Sequence, residues 1–317
     1  MPILEVTDLK KYFHTYRRRD KSSSTIKALD GVSLKMEAGQ IHSIVGESGS
    51  GKTTLGRIIA GLIEPTEGSV ILDGTNIFES AKSDLRSVRR NVQIIFQDPY
   101  SSLNPRFSVR QIVEEPLKLN KIPFTMKDIG SALMKVGLTP PEEFLDRYPH
   151  ELSGGQRQRV AIARSIVVRP KFIVADEPVS MLDASMRASF LQLISDLRRS
   201  DNITMLMISH DISTAYYVSD VISVLYLGKI VETGSADEII KNPKHPYTRA
   251  LIQAVPTLGR IEQKKIEIRD SIEKSHTTVG GCRFRERCLY AISRCSEEDP
   301  DLRDIGNGHR LACHVDL

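Results

Sequence analysis

The stretch that most limits what this chain can fold into is Gly46-Glu47-Ser48-Gly49-Ser50-Gly51-Lys52-Thr53. Its spacing is GxxxxGK[ST], and it sits between an apolar run at 41–45 and a helical pattern that starts at Thr53 and continues to about Ile63. Strand, glycine-rich turn and helix, in that order, make a phosphate-binding loop, or P-loop. The glycines let backbone N–H groups close around phosphate oxygens, and the helix N-terminus adds partial positive charge. Lys52 is expected at the β- and γ-phosphates and the Thr53 hydroxyl at a Mg²⁺ position. Gly46, Ser48, Gly49, Ser50, Gly51 and Thr54 complete the expected nucleotide-binding set.

A phosphate loop alone specifies only a bound nucleoside triphosphate. Its chemical partner is Phe172-Ile173-Val174-Ala175-Asp176-Glu177, an apolar strand that ends in two carboxylates. Asp176 is expected to hold Mg²⁺ through its water shell, and Glu177, one residue on, to polarise an attacking water.

The remainder of the chain reads as an α/β protein. Expected strands lie at 4–9, 26–36, 69–72 and 92–96, with a basic, Ser-rich solvated loop at 16–25 that carries Arg17, Arg18 and Arg19. From Asp98 the prolines at 99, 105, 116 and 123 punctuate short helical stretches, and Thr125 with Asp128 three residues later has the form of a helix cap. This predicts a helical subdomain over about 98–168, inserted into the α/β core. Strands at 172–175, 204–208 and 221–226 then alternate with helical patterns, which argues for a mostly parallel sheet within a mixed core. The pattern fades near 247–254, and 255–269 reads as a linker, so the expected domains are 1–255 and a C-terminal extension, 256–317.

Composition excludes several classes. With 317 residues, 40% hydrophobic and 26% charged, the chain can bury a sizeable core and is neither disordered nor fibrous. A net charge of +4 is too small for a strong, sequence-independent nucleic-acid field. Its apolar runs, such as 203–208, fall far short of the ~20 residues that span a bilayer, so the chain is not expected to cross a membrane by itself. The first residues carry no secretory pattern, and a cytoplasmic protein is expected.

Leu152-Ser153-Gly154-Gly155-Gln156, followed by Arg157-Gln158-Arg159, makes the reading more specific. With it the sequence resembles the ATP-binding-cassette (ABC) family. The resemblance extends to Gln97 in Phe96-Gln97-Asp98-Pro99 (the Q-loop), to Ser180-Met181-Leu182-Asp183 (the D-loop) and to His210 in Ile208-Ser209-His210-Asp211 (the switch histidine). These motifs stand in family order over about residues 4–240. The resemblance implies that Glu177 is the catalytic base, that His210 orients the γ-phosphate and water, and that Gln97 links Mg²⁺ to the transport interface. It also implies nucleotide contacts from Ser153, Gly154, Gly155, Gln156 and Asp183. Adenine would stack on an aromatic residue after the first strand, Phe13 or, as the alternative, Tyr12. Met181 departs from the small residue usual at the second D-loop position.

Spacing carries one mechanistic expectation without the family. Ser153 opens a helical stretch, 156 to about 168, that spans ~20 Å and leads into the Asp176 strand. If that strand ends beside the P-loop, Ser153 lies about a helix length from its own chain's ATP. It should then face the nucleotide of a second ATPase subunit, with two ATPs sandwiched between two cassettes.

Three further stretches resemble the dipeptide and oligopeptide importer branch, closest to the F-type subunits of dipeptide permeases. They are Gln97-Asp98-Pro99-Tyr100-Ser101-Ser102-Leu103-Asn104-Pro105, Asp146-Arg147-Tyr148-Pro149-His150-Glu151 and His245-Pro246-Tyr247-Thr248-Arg249-Ala250-Leu251. The resemblance implies an ATPase on the cytoplasmic face of the membrane. It would drive import through two separate membrane permease subunits, served indirectly by an extracellular substrate-binding protein, with residues 100–104 as the expected permease contact. Nickel or oligosaccharide cargo is the alternative within the branch. A cassette acting on nucleic acid is the alternative outside it, disfavoured because Lys52 and Ser153 are only about 100 positions apart and a single cassette is present.

Cys282, Cys288, Cys295 and Cys313 all lie in the extension, as C-x5-C-x6-C-x17-C. A reducing compartment makes a disulfide framework unexpected. The tight C-x2-C pairs of zinc ribbons are absent. Four thiolates are the number a [4Fe–4S] cluster requires, and relatives in this branch carry such a cluster. Arg283, Arg285, Arg287, Arg294 and Arg310 nearby would offset its negative charge. Zinc and free thiols are the alternatives, and tail packing rather than redox work is the expected role.

Overall fold

The structure is a computed structural model that describes residues 2–17, 22–79, 84–98, 102–180, 182–255 and 280–315. Strands β1 (Leu4–Arg17) and β2 (Ser22–Met36) form a long antiparallel hairpin. With β4 (Glu67–Leu72) and β5 (Thr75–Asn76) they make a four-stranded sheet of order β2-β1-β4-β5. The hairpin corrects the sequence expectation, because most of the basic stretch expected to be loop is strand. Each strand supplies the other's hydrogen-bond partners locally, so the ladder continues beyond the point where apolar alternation stops. Arg18 and Arg19 lie outside the described residues.

The second sheet has eight strands in the order β11 (Arg303–Gly306), β12 (His309–Leu311), β10 (Lys229–Ser235), β9 (Val221–Tyr226), β3 (Ile41–Val45), β8 (Thr204–Ser209), β7 (Phe172–Asp176) and β6 (Val92–Ile95). Its centre is β3, flanked by β8 and β9, with β7 and β6 beyond β8. These five pair in parallel. Every residue of β3, β7 and β8 is buried, since both faces are covered; β7 and β8 accordingly carry near-continuous apolar stretches, whereas β3 buries His42 and Ser43 among its apolar residues.

Two layers cover the sheet. On one side α1 (Lys52–Ile59) and the smaller sheet close a core that includes Leu29, Ile44, Leu55, Phe172 and Leu206. A Cβ on Gly56 would sit 2.5 Å from the Ile208 side chain and 3.0 Å from that of Val174, so this glycine lets α1 lie close on the sheet. Helix α2 (Asp84–Asn91) leads into β6, and on the other side are α3 (Val109–Leu119), α4 (Met126–Lys135), α5 (Glu142–Leu145) and α6 (Gly154–Ile166). Val113, Leu133 and Val160 share a core with Ile173 and Met205, so the helical region and the sheet bury each other's apolar faces. Each such side chain contributes roughly 1.5–3 kcal/mol. No strand occurs among the described residues between β6 and β7, as the proline pattern implied. The Thr125–Asp128 cap forms, with the Thr125 N–H donating to the carboxylate at 2.9 Å. Pro116 lies inside α3 rather than at its end.

The C-terminal part returns to the same sheet. After β10 (Lys229–Ser235), α9 (Ala236–Lys241) and α10 (Pro246–Gln253), residues 280–315 form a short helix, α11 (Arg294–Glu297), and a hairpin, β11 (Arg303–Gly306) with β12 (His309–Leu311). Strand β12 pairs with β10, Leu311 opposite Glu232. The extension thus lengthens the core sheet, which its sequence did not reveal. Fully buried Glu232 anchors it, accepting from His309 Nε2 at 2.8 Å and from the N–H groups of Lys244 and His245 at 2.6 and 3.0 Å.

Two other histidines are buried as neutral imidazoles. His42 lies between strands with Nε2 2.7 Å from Ser223 Oγ, and burial pushes its pKa down to about 4. His245 Nδ1 accepts from the Tyr247 N–H at 3.1 Å, and burial, opposed by the Glu232 charge, leaves it also at about 4. Both groups take up protons more readily unfolded than folded. Their contribution is fully present above the unfolded value near 6.5 and is lost as pH falls toward 4, on the order of 3 kcal/mol for each. Urea unfolding should therefore show stability falling from pH 6.5 toward 4, with a shallower dependence, by about one proton, in His42→Asn. An unchanged slope in that variant would remove His42 from the account.

Candidate functional site

Parallel pairing brings the C-terminal ends of β3, β8 and β7 to one edge: Val45 lies opposite Ser209, and Asp176 opposite Ile208. Ligands of open α/β sheets bind at this edge. The P-loop leaves β3 there. Gly51 sits at φ 106°, in the left-handed region, and a Cβ on it would strike the Ala28 carbonyl. Lys52 is only 4% exposed, and its Nζ donates to the carbonyls of Gly46 and Glu47, both at 2.8 Å, holding the loop in a ring around the ammonium. Burial lowers its pKa, against the opposing charges of Glu177, Asp176 and Glu47. Ser50 Oγ is buried with no hydrogen-bond partner among the described residues.

Thr53 Oγ1 donates to Asp176 Oδ1 at 3.1 Å, joining the start of α1 to the end of β7. Burial raises the Asp176 pKa, offset by the Thr53 hydrogen bond and raised again by Glu177. A hydroxyl against a desolvated carboxylate with a second carboxylate beside it is a donor set that fits a Mg²⁺ ion.

Glu177 is the hub. Its Oε2 is 3.2 Å from Gln97 Nε2, just past β6, and 3.2 Å from His210 Nδ1, just past β8. Its backbone sits at φ 48°, a conformation that costs a non-glycine residue on the order of 1 kcal/mol or more. Its N–H is tied to the Ile208 carbonyl at 2.9 Å. The residues expected to act together, Lys52, Thr53, Asp176, Glu177, Gln97 and His210, are thus linked by these contacts along one sheet edge.

The signature residues face another set of neighbours. Ser153 caps α6: its Oγ accepts from the Gln156 N–H at 3.2 Å, and the Gln156 side chain accepts from the Ser153 N–H at 2.9 Å. A Cβ on Gly155 would be 2.8 Å from Met186 Sδ, whereas Gly154 has open space. Gln158 Nε2 donates to the Pro178 carbonyl at 2.6 Å. The second turn of α6 therefore touches the segment that follows Glu177. Asp183 caps α7 (Ala184–Asp201), accepting from the Met186 N–H at 2.9 Å, and these hydrogen bonds hold its carboxyl below the usual range.

The two aromatic candidates for adenine occupy successive positions of β1 and so point to opposite faces. The Tyr12 hydroxyl donates to Asp30, whose own N–H meets the Gly228 carbonyl beside the P-loop. Phe13 is 38% exposed, with the Lys11 ammonium 5.3 Å from its ring centroid. Met181 lies outside the described residues, as do residues 99–101, so only part of the expected 100–104 permease contact is described.

In the tail, the thiols of Cys288, Cys295 and Cys313 lie within electrostatic reach of Cys282. Burial pushes Cys282 up to about 12 and raises Cys313 as well. None of the four forms a disulfide. No group of three or more His, Cys, Asp or Glu side chains among the described residues is placed to hold a metal ion, so the [4Fe–4S] expectation gains no support from the geometry. Arg287, expected to offset thiolate charge, instead forms a two-pronged ion pair with Glu47 of the P-loop at 2.7 and 3.0 Å. These partners are 240 positions apart, and no local pattern signals the contact.

Two family models match the chain: "ABC transporter" over residues 29–180 and "Oligopeptide/dipeptide transporter, C-terminal region" over residues 231–295. The oligopeptide transport ATP-binding protein AppF of Bacillus subtilis is 41% identical, over 99% of this chain and 97% of its own length. The dipeptide transport ATP-binding protein DppF of Haemophilus influenzae is also 41% identical, over 99% and 97%. Among solved structures, the dimeric post-hydrolysis state of the ATP-binding cassette MJ0796, bound to ADP and Pi, aligns with a TM-score of 0.65 and 30% identity. The alignment covers 74% of this chain and 98% of that one.

Because the Ser153 hydroxyl caps a helix, Ser153→Ala would lose cap energy as well as any ligand contact, roughly 0.5–2 kcal/mol. Ser153→Asp keeps a capping oxygen and adds a negative charge facing outward. It should bind ATP as a monomer like the wild type yet fail to pair with a second cassette in ATP, as measured by size-exclusion chromatography with light scattering. ATP-dependent pairing at wild-type strength would refute the outward role.

Proposed function

The chain belongs to the ATP-binding subunits of ABC transporters, in the oligopeptide and dipeptide branch, and from that premise we propose how its residues carry out ATP hydrolysis for peptide import. Lys52 and the loop N–H groups hold the β- and γ-phosphates. Thr53 and Asp176, with Gln97, would hold Mg²⁺, which would supply charge neutralisation for the phosphates. Glu177 Oε2 accepts the proton as the water oxygen bonds to the γ-phosphorus and the bond to the ADP oxygen breaks. His210 positions the water and γ-phosphate. The observation that carries this reading is the meeting of Gln97 and His210 on one oxygen of Glu177, beside the Thr53–Asp176 pair.

The finer assembly is part of the same proposal. Ser153, Gly154, Gly155, Gln156 and Asp183 face the nucleotide of a second cassette, a homologous subunit or a second copy. Adenine stacks on Phe13, or on Tyr12 in the alternative. No helix among the described residues is long and apolar enough to cross a membrane. Two permease subunits then provide the pore, an extracellular binding protein delivers peptide to them, and the chain sits on the cytoplasmic face. For the tail, the finer reading places a [4Fe–4S] cluster on Cys282, Cys288, Cys295 and Cys313. Its support is the number of thiols alone.

Glu177→Gln should bind ATP within a few-fold of wild type while phosphate release slows by roughly 100-fold or more, the usual contribution of a general base. Turnover near the wild-type rate would refute the assignment. Anaerobically purified protein should absorb near 400 nm if the tail carries iron and sulfide. Colourless protein lacking iron would refute the cluster.

A further inference from the structure

The P-loop is held from outside the cassette core by the C-terminal part of the chain. Glu47, its second residue, is gripped twice. Its backbone N–H donates to the Tyr247 hydroxyl at 2.8 Å, and its carboxylate receives both terminal nitrogens of Arg287 at 2.7 and 3.0 Å. Arg287 is 5% exposed and packs with its guanidinium 5.9 Å from the ring centres of both Tyr226 and Phe284. Those two rings and Tyr247 meet one another at 4.7–5.6 Å, and Phe284 comes from the tail. A second arm starts four residues earlier. Arg283 pairs with Asp30 and donates to the Leu227 carbonyl. The Asp30 N–H meets the Gly228 carbonyl at 2.9 Å, and the Gly228 N–H meets the Ser50 carbonyl of the P-loop at 2.8 Å. Arg283 and Arg287 both fall between Cys282 and Cys288, in a turn where the Cys288 N–H donates to the Phe284 carbonyl.

The charge at this position needs an explanation. A loop that binds a triphosphate carries an acidic residue at its second position, and the Glu47 charge already reaches the Lys52 ammonium. Unpaired, that carboxylate would repel the incoming phosphates. A buried arginine engaging both carboxylate oxygens cancels the charge and fixes the loop in one geometry. A loop held in its binding conformation before the ligand arrives loses less entropy on binding. Lysine would supply the charge without the planar fork.

We propose that Arg287 is a positioning residue of the nucleotide site. Through Glu47 the docked tail neutralises and orders the P-loop, so that tail docking and nucleotide binding are thermodynamically linked. This rests on the reading of the loop as the ATP site. The linkage is reciprocal: whatever factor the docked tail contributes to ATP affinity, bound ATP returns to the docking of the tail.

The test uses the full chain and MgATP, with affinity read from a fluorescent ATP analogue displaced by ATP. Wild-type protein that binds no ATP would defeat the function proposed above, whereas the variants bear on this inference alone. Arg287→Ala should weaken ATP binding by about fivefold to a hundredfold, the range of a typical coupling between sites. Arg287→Lys should fall between it and wild type. Glu47→Gln in the Arg287→Ala background removes the uncompensated charge and should recover most of the lost affinity, which a general loss of folding would not allow. A loss under threefold in Arg287→Ala, or a double variant no tighter than that single one, would overturn the proposal. Should Arg287→Ala not fold, hydrogen exchange on the wild type decides. Backbone amides at 280–290 should exchange several-fold more slowly with saturating MgATP than without, and unchanged exchange would overturn the linkage.

Discussion

The parallel pairing of β3 with β8 and of β8 with β7 is the constraint from which the rest of the molecule follows. Parallel strands end together, so Val45, Ser209 and Asp176 finish on one edge of the sheet. The P-loop, the carboxylate pair and His210 are far apart in sequence and become neighbours only through this register. A shift of one residue in β7 would turn Asp176 to the other face of the sheet and leave Thr53 without its partner. The buried apolar residues of the three strands, and the helices covering both faces, hold that register in place.

Within the site, burial does the electrostatic work. Lys52 and Asp176 are both desolvated, which lowers the pKa of the one and raises that of the other, and each therefore favours a ligand that restores its charge. Phosphate oxygens meet the first need and a divalent cation the second. Glu177 stands at a strained backbone position with two side chains on a single oxygen. Strain of this kind persists where the surroundings over-determine it, and here the Ile208 carbonyl fixes the Glu177 N–H.

The C-terminal segment is joined to the core by a strand pairing, a buried carboxylate with three donors, an aromatic cluster and two arginines. Most of these contacts join residues far apart in sequence. The segment is in consequence packed against the P-loop, although its composition alone reads as an appendage carrying four cysteines.

Much of the site was legible from the chain. Gly46 to Thr53, the Asp176-Glu177 pair and the stretch from Leu152 to Gln156 are local patterns, and their chemistry needs particular residue types at adjacent positions. The apolar runs of β7 and β8 likewise announce buried parallel strands. The length of the β1–β2 hairpin, the return of α6 toward Pro178 and the addition of β12 to the sheet were not legible. They depend on backbone partners and packing that no short window contains. The pairing of Arg287 with Glu47 belongs to the same class, for a charge in a sequence has many possible partners. Sequence alone determined which groups are candidates for the phosphate chemistry, because the motifs that mark them are short runs of contiguous residues. Only the tertiary structure decided which distant groups neutralise, orient and enclose them, because those contacts form between elements that meet only on folding.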